Sequence, residues 1–151
     1  MRGSVRARLG WPADTATHRR IRRLWQRHSI AEDRRDIDGL IATLAPACVY
    51  EIVGTGLRWE GHDGARAFYS ELFAAFPDNR FGLTDIVIGP QGVFEAVVLE
   101  ATHAGAFAGL PATGPAGQAG VRNPVSLGSR DGALRRGADL HRSAIARRHE
   151  L

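Results

Sequence analysis

The sequence predicts an α+β domain in which helices pack against a curved, mostly antiparallel sheet. Apolar residues recur at helical spacing in three early segments, 15–33, 36–45 and 62–76. β-Branched and aromatic residues then dominate the runs 80–88 and 93–107, and the Gly-Pro-Gln-Gly turn between them predicts an antiparallel hairpin. Because helices come first and hairpin strands follow, we expect a cone-shaped barrel rather than a parallel βαβ sheet.

Each helix has its own signal. The first is amphipathic, and either Thr15 or Thr17 is expected to cap it. One of its faces carries Ile21, Leu24, Trp25 and His28. The second helix has Asp36 as its expected cap and should end before Pro46, because proline lacks the backbone donor that a helix interior needs. The third helix, over 62–76, has an unbroken apolar stripe.

Short extended segments lie before the third helix. The run ACVYEIV at 47–53 is β-branched and aromatic and predicts a strand, and a second extended piece at 57–60 follows a Gly-Thr-Gly turn. The domain is therefore expected over 15–114. The Arg-rich start, 1–14, has no apolar h-region and is expected to be a disordered leader.

Composition excludes a nucleic-acid partner. The net charge is +4, but residues 1–113 hold 13 Arg and 13 acidic residues, so the excess lies entirely in the remainder. That remainder has no Phe, Trp or Tyr. A nucleic-acid surface clusters its charge on a folded face beside aromatic or polar partners, and nothing here fits that pattern.

Composition and motifs also restrict the cellular location and the cofactors that can be expected. One cysteine, Cys48, permits no disulfide within the chain, and no apolar run approaches the roughly 20 residues of a membrane span. We therefore expect a cytoplasmic protein with no membrane contact. The sequence has no phosphate loop, paired-cysteine motif or nucleophile elbow, so neither a cofactor nor a metal is expected.

Several short motifs acquire meaning from their order and spacing. They include WQRH at 25–28, VYE at 49–51, WEG at 59–61, AFPD at 75–78 and THAGAFAGLPATG at 102–114. Together, over about residues 21–114, they resemble the SnoaL-like polyketide cyclase family of the nuclear-transport-factor-2-like superfamily. The resemblance implies a cone-shaped α+β barrel and a small hydrophobic ligand. It also implies cofactor-independent cyclase or isomerase chemistry on a carbonyl compound, and a homodimer formed through the outer sheet face.

Two residues are candidate catalytic groups. The resemblance places His103 of the THAGAF segment near the reacting carbon, where an imidazole can transfer a proton beside an enolisable ketone. Glu51 lies in a strand segment like the one that carries the aspartate base of ketosteroid isomerases. Tyr50 and Glu51 point to opposite faces of a strand, so at most one of them is expected to face a cavity. The alternatives are a strand histidine satisfied by a neighbour and a rim carboxylate.

The expected pocket is lined by aromatic residues of the helices and by one face of the hairpin. Glu95 and Leu99 share a strand face with His103 if the strand continues that far. The predicted lining residues are Trp25, His28, Tyr50, Trp59, Phe68, Tyr69, Phe73, Glu95 and Leu99. A stripe at helical spacing is also what an ordinary core looks like, so plain packing is the alternative for each of them.

The usual acid/base pair is incomplete. Cyclases of this family also use an aspartate on the strand after the PATG segment, whereas no Asp or Glu lies between Glu100 and Asp131 here. The sequence therefore leaves three functions open. They are an enzyme of the cyclase or isomerase type, a copy that has lost its activity, and a non-catalytic module that binds a small ligand or a protein on the same fold.

The tail, 115–151, changes character. It is rich in Gly, Ala and Arg, lacks aromatics and shows no period-2 pattern, which predicts an irregular segment. A frameshift would explain the change, and a truly divergent, disordered tail is the alternative. Suitable synonymous codons for 115–142, read one nucleotide later, give RPVRLGFGILFPWDPATGRFAGERIYTD, which is β-patterned and ends like the family's closing strand. On this hypothesis two strands are missing, and sheet edges are left uncovered.

Overall fold

The computed structural model describes residues 5–52 and 55–114, and the backbone of 121–130 and 133–138. The described residues form four helices and six strands. The helices are α1 (Val5–Leu9), α2 (Thr15–Asp33), α3 (Ile37–Ile41) and α4 (Gly61–Ala75). The strands are β1 (Val49–Ile52), β2 (Leu57–Glu60), β3 (Arg80–Gly89), β4 (Gly92–Glu100), β5 (Val121–Arg130) and β6 (Ala133–Ala138).

The strands form one sheet in the order β2-β1-β6-β5-β4-β3. Every neighbouring pair is antiparallel except β1 and β6, which run parallel and pair at Ile52 and Ala138. The hairpin of β3 and β4 runs from Arg80 opposite Glu100 to Gly89 opposite Gly92. The predicted α+β architecture is confirmed.

The core lies between this sheet and the apolar faces of α2 and α4. Ile21 on α2 and Tyr69 on α4 are fully buried. On β4 the alternation predicted from the sequence is confirmed, since Glu95 and Leu99 are buried whereas Phe94 is exposed. The two long helices therefore cover one face of the sheet, and this layer contains the predicted lining residues.

Two features at the start of the chain differ from the prediction. Asp14, rather than Thr15 or Thr17, is the N-cap of α2, and its carboxylate accepts hydrogen bonds from the N–H and the hydroxyl of Thr17, both at 2.8 Å. The expected disordered leader contains a helix, α1, which is followed by a turn in which Trp11 N–H donates to the carbonyl of Arg8. Residues 1–4 lie outside the described part.

The fourth strand is shorter than the predicted run 93–107. The chain leaves the sheet after Glu100, whose partner Arg80 is the first residue of β3, so β3 has no residue left with which 101–107 could pair. Asp78 accepts hydrogen bonds from the N–H and hydroxyl of Thr102 and diverts the chain toward α4. His103 is therefore on a loop, not on the strand face of Glu95.

Within the tail, which is expected to be irregular, 121–130 and 133–138 form β5 and β6. β5 pairs with β4 from Leu99 opposite Val121 to Gly92 opposite Gly128, so this edge of β4 is covered. Backbone pairing does not require apolar side chains, which is why composition missed these strands. The remainder of the tail lies outside the described residues, and the domain boundaries and the frameshift stay predictions.

In the described part of the chain, no helix is both long and apolar enough to cross a membrane.

Candidate functional site

His103 occupies an unusual position. Its backbone bridges to Gly114, whose N–H donates to its carbonyl at 3.1 Å. Its ring stacks on Phe76, with centroids 4.8 Å apart and planes inclined by 20°. Nδ1 lies 3.3 Å from Thr113 Oγ1, whereas Nε2 is buried without a hydrogen-bond partner among the described residues. A buried polar nitrogen without a hydrogen-bond partner is uncommon in folded proteins, so Nε2 is a candidate for contact with a ligand.

The loop that carries His103 is fixed to the end of α4. The carbonyl of Ala75 accepts from the N–H groups of Ala104 at 2.8 Å and Gly105 at 3.2 Å, which caps the helix. Gly105 lies so close that a Cβ there would be 3.1 Å from the Cα of Ala75. The Thr102 hydroxyl and N–H that donate to Asp78 hold the pKa of that carboxyl below its ordinary value.

The next turn completes an aromatic wall. Phe107 and Leu110 exchange both of their backbone hydrogen bonds, and the N–H of Ala108 donates to Glu71 on α4 at 3.2 Å. The buried Phe107 ring lies edge-on to Phe76 at 5.5 Å and to Phe68 at 6.0 Å. His103 is thereby joined to the core by aromatic contacts, while Thr113 beside it is exposed.

A second set of polar side chains lies in the core, around His28 and Tyr69. His28 Nδ1 is 2.6 Å from Thr43 Oγ1, and its Nε2 is 3.0 Å from the hydroxyl of Tyr69. The Tyr69 hydroxyl donates to Glu32 Oε1 at 3.0 Å and accepts from the Tyr50 hydroxyl at 3.2 Å. All five side chains are buried. They connect α2, the turn after α3, β1 and α4 through one hydrogen-bonded network.

A third polar contact lies on the inner face of β4. Trp25 Nε1 donates to Glu95 Oε2 at 2.6 Å, and Glu95 is 5% exposed. Trp25 precedes His28 by one helical turn on the same face of α2. A short hydrogen bond to a carboxylate of this kind helps to offset its desolvation.

The structure brings most of the predicted lining residues together, but as a packed cluster. The Tyr50 ring lies 4.8 Å from Phe68 and 5.4 Å from Tyr69, and Trp59 is edge-on to Phe68 at 5.2 Å. Phe73 packs on Tyr69 at 5.5 Å. The predicted alternative of ordinary core packing therefore describes these rings in the structure, and a pocket among them stays a prediction.

Glu51 is not brought into this cluster. On β1 the side chains of Tyr50 and Ile52 are buried, whereas Glu51 is half-buried and points to the opposite face. As the strand alternation predicts, only one of the pair Tyr50 and Glu51 faces the core, and it is Tyr50. The two candidate catalytic residues, His103 and Glu51, are thus separated by the sheet.

Several site residues had no prediction. Thr43 and Thr113 meet histidines through contacts between distant segments, which no local pattern reveals. Glu32 had a usable signal, since it follows His28 by four residues and so shares its helix face. Phe107 was expected on a strand, and the actual turn places it against Phe76.

Two of the surface cavities lined by described residues lie beside α2. One, of about 250 Å³, lies between the start of α2 and the turn after β3 and includes Asp14 and His18. The other, of about 610 Å³, follows α2 from Arg23 to Asp33 and includes Trp25. Neither is lined by His103. Within the described ranges, no three His, Cys, Asp or Glu side chains are grouped so that they could hold a metal ion.

The fold is shared with solved nuclear-transport-factor-2-like structures. A candidate polyketide cyclase from Xanthomonas campestris pv. campestris is 22% identical, with a TM-score of 0.66 over 83% of this chain and 93% of that one. A nuclear-transport-factor-2-like protein of unknown function from Burkholderia pseudomallei K96243 is 16% identical, with a TM-score of 0.66 over 81% and 91%. TerC, co-crystallised with polyporic acid, is 18% identical, with a TM-score of 0.61 over 81% and 92%. At these identities the likeness shows the fold.

The family follows from the sequence. The model of the SnoaL-like polyketide cyclase family matches residues 17–120, more than half of the chain, and the chain therefore belongs to this family. The match begins within α2 and includes the THAGAF loop. No curated protein sequence matches the chain.

Proposed function

We propose that this protein binds a small hydrophobic carbonyl compound and transfers a proton at the carbon next to the carbonyl. The observation that carries this proposal is Nε2 of His103, which is buried and has no hydrogen-bond partner among the described residues. The aromatic rings of Phe76 and Phe107 beside it suit an apolar substrate. TerC, which has the same fold, was crystallised with an organic ligand, and this supports a small-molecule substrate.

The geometry suggests how the imidazole would act. An Nδ1–H that donates to Thr113 Oγ1, 3.3 Å away, leaves the lone pair on Nε2. Nε2 then takes a proton from the α-carbon, the bonding electrons move into the enolate, and the ring becomes an imidazolium. Return of that proton to a different carbon isomerises the compound. Attack of the enolate carbon on a second carbonyl closes a ring, and the imidazolium then protonates the resulting alkoxide.

One observation favours a second function, ligand binding without chemistry. No Asp or Glu lies between Glu100 and Asp131, and Glu51 faces away from the core, so no carboxylate of these segments partners His103. An imidazole alone can donate a hydrogen bond to a carbonyl oxygen without moving a proton from carbon. The two functions make opposite predictions for solvent hydrogen exchange.

The experiment uses 1-tetralone, a hydrophobic ketone, in buffered D₂O. Exchange of its α-hydrogens is followed by proton NMR with the full-length protein, with His103→Gln, and with His18→Gln as a matched control on the exposed face of α2. Gln keeps a polar nitrogen near the position of Nε2 but cannot act as a base at neutral pH. We expect exchange above the buffer rate with the wild type and His18→Gln, and a loss of about 100-fold or more with His103→Gln.

The outcomes separate the functions. Exchange at the buffer rate together with saturable binding of 1-tetralone would support the binding function and contradict proton transfer. Equal exchange by the wild type and His103→Gln would remove His103 from the mechanism. Titration followed by intrinsic tryptophan fluorescence supplies the binding measurement.

We also propose a homodimer formed through the outer face of the sheet. Val87 on β3 and Phe94 on β4 are directly opposite in register and are 64% and 46% exposed. An exposed apolar pair on a sheet face suits burial against a second copy. Phe94→Asp should shift the sedimentation coefficient to that of a monomer, whereas Glu100→Gln on the same face should not. A monomeric wild type at micromolar concentration contradicts the proposal.

A cytoplasmic location is part of the same proposal. The chain has one cysteine, the buried Cys48, and therefore cannot form a disulfide within itself. A reducing compartment suits a chain without disulfides. Cell fractionation that recovers the protein with periplasmic or secreted markers would contradict it.

A further inference from the structure

His28 and Glu32 are linked through the Tyr69 hydroxyl, and this network lies apart from His103. We infer that His28 is an imidazolium with hydrogens on both ring nitrogens, that Glu32 is the carboxylate which balances it through Tyr69, and that this pair forms a proton-dependent lock between α2 and α4. The inference goes beyond the proposed function, because none of these side chains takes part in the chemistry assigned to His103.

The hydrogen on Nδ1 follows from the Thr43 hydroxyl. Thr43 Oγ1 lies 2.6 Å from the carbonyl oxygen of Leu40 and 2.6 Å from His28 Nδ1. A carbonyl oxygen only accepts, so the single hydroxyl hydrogen of Thr43 points to Leu40. A contact of 2.6 Å between Oγ1 and Nδ1 then requires a hydrogen on Nδ1, which donates to the oxygen of Thr43.

The hydrogen on Nε2 follows from Tyr69 in the same way. Tyr69 has one hydroxyl hydrogen and donates it to Glu32 Oε1 at 3.0 Å. Its oxygen already accepts from the Tyr50 hydroxyl at 3.2 Å, and the remaining lone pair faces His28 Nε2 at 3.0 Å. Nε2 must therefore donate. With hydrogens on both nitrogens the ring is positive, and Tyr69 is oriented between the positive and the negative group.

The surroundings of this charge pair determine how strongly it affects the stability of the fold. His28 is 1% exposed and Glu32 7% exposed, so neither charge is screened as a surface charge would be. Among the side chains that the structure describes, and apart from the network itself, the buried titratable group on an element in contact with α2 is Glu95 of β4, which accepts from Trp25. Tyr69 belongs to α4, and Tyr50 to β1, so loss of either charge weakens contacts between α2 and the rest of the core.

The two charges of the pair make the stability of the fold depend on pH in opposite directions. The folded state favours the protonated ring, so the stabilisation from His28 is present at low pH and is lost as pH rises and the ring loses a proton. The folded state also favours the Glu32 carboxylate, so its contribution is lost when acid protonates it. Stability contributed by the lock should therefore pass through a maximum between these two titrations.

The test is nitrogen NMR on full-length protein labelled with ¹⁵N-histidine, from pH 5 to pH 9. Signals are assigned by substituting the other histidines one at a time. We expect both ring nitrogens of His28 to resonate as protonated nitrogens at neutral pH. Tyr69→Phe and Glu32→Gln should each convert one of these signals to that of an unprotonated nitrogen. Tyr50→Phe removes the hydroxyl that donates to Tyr69 but leaves the Tyr69 hydroxyl itself in place, so both signals should be unchanged. Glu71→Gln, on α4 but outside the network, should also leave both signals unchanged.

The wild-type spectrum alone decides the inference if a variant fails to fold. An unprotonated signal from either nitrogen of His28 at neutral pH overturns it. A signal of this kind from Nε2 alone would show a neutral pair, with one proton moved from Nε2 to Tyr69 and the hydroxyl proton of Tyr69 passed to Glu32. A folded Glu32→Gln variant with both nitrogens still protonated would remove Glu32 as the balancing group.

Discussion

The ring of His103 lies flat against Phe76, with centroids 4.8 Å apart and an angle of 20° between the planes. This stacking fixes the imidazole plane, so that Nδ1 meets Thr113 and Nε2 is held in a buried position. Phe76 directly follows α4 and His103 follows β4, so the contact depends on the two elements ending side by side. The orientation of the candidate catalytic group is therefore a property of the fold rather than of the loop alone.

Removing the hydroxyl of Thr113 should weaken activity without removing the base. In Thr113→Val the Nδ1–H loses its acceptor, so the tautomer with a free Nε2 is less favoured. We expect the maximal exchange rate of 1-tetralone to fall about tenfold, which corresponds to about 1.4 kcal/mol, with little change in the half-saturating concentration. Thr113→Ser should restore the rate, and a variant as active as the wild type would show that Thr113 does not position the ring.

A methyl group at Gly105 should loosen the loop from α4. Its Cβ would lie 3.1 Å from the Cα of Ala75 and 3.3 Å from the carbonyl oxygen of Ala74, and backbone atoms cannot move aside as a flexible side chain can. Overpacking of this kind costs about 1–3 kcal/mol, so Gly105→Ala should lower the midpoint of urea unfolding. Gly89→Ala is the matched control, because its Cβ would meet nothing within 4 Å. Equal midpoints for the two variants would contradict the close approach.

Asp78 should contribute pH-dependent stability. The hydroxyl and the N–H of Thr102 lower the pKa of Asp78 from 3.8, so its contribution is present above that value and is lost as pH falls through the lower, folded-state pKa. Thr102→Val removes the hydroxyl donor, and we expect a smaller difference in unfolding midpoint between pH 5 and pH 3. In an Asp78→Asn background the same substitution should leave this difference unchanged. An additional effect there would mean that Thr102 acts through another group.

The coding DNA decides the frameshift hypothesis. The codons for 115–142, read one nucleotide later, should encode RPVRLGFGILFPWDPATGRFAGERIYTD. A protein carrying that segment should unfold at a higher temperature than the present chain, because apolar strand residues would then bury against the helices. Codons that cannot produce this string in the shifted frame would end the hypothesis.

The order of the elements could be predicted because each has a local cause. Helical spacing defines α2 and α4, and the turn at 89–92 defines the hairpin of β3 and β4. The N-cap at Asp14 shows the limit of such signals, since Asp14, Thr15 and Thr17 are all residue types that cap helices and the backbone selects one of them. The end of β4 was not predictable for another reason. The sequence after Glu100 is still largely apolar, but the partner strand β3 begins at Arg80, and Asp78 accepts a hydrogen bond from Thr102.

In the candidate site, too, features with a local cause could be predicted, whereas contacts between distant segments could not. Strand alternation correctly allowed only one of Tyr50 and Glu51 to face the core, because that depends on neighbouring residues alone. The pairing of His28 with Thr43, and of His103 with Thr113, depends on how separate segments meet, and no spacing in the sequence encodes it. Backbone pairing of β5 with β4 was missed because composition reports on side chains.

The role of His103 is tested most directly by its own Nε2 signal in ¹⁵N-histidine-labelled protein during titration with 1-tetralone. We predict a saturable shift of that signal, with the signals of His18 and His62 unchanged. Saturable binding that leaves the Nε2 signal of His103 in place, or no saturable change in any signal, would contradict the assignment of this histidine to the ligand site.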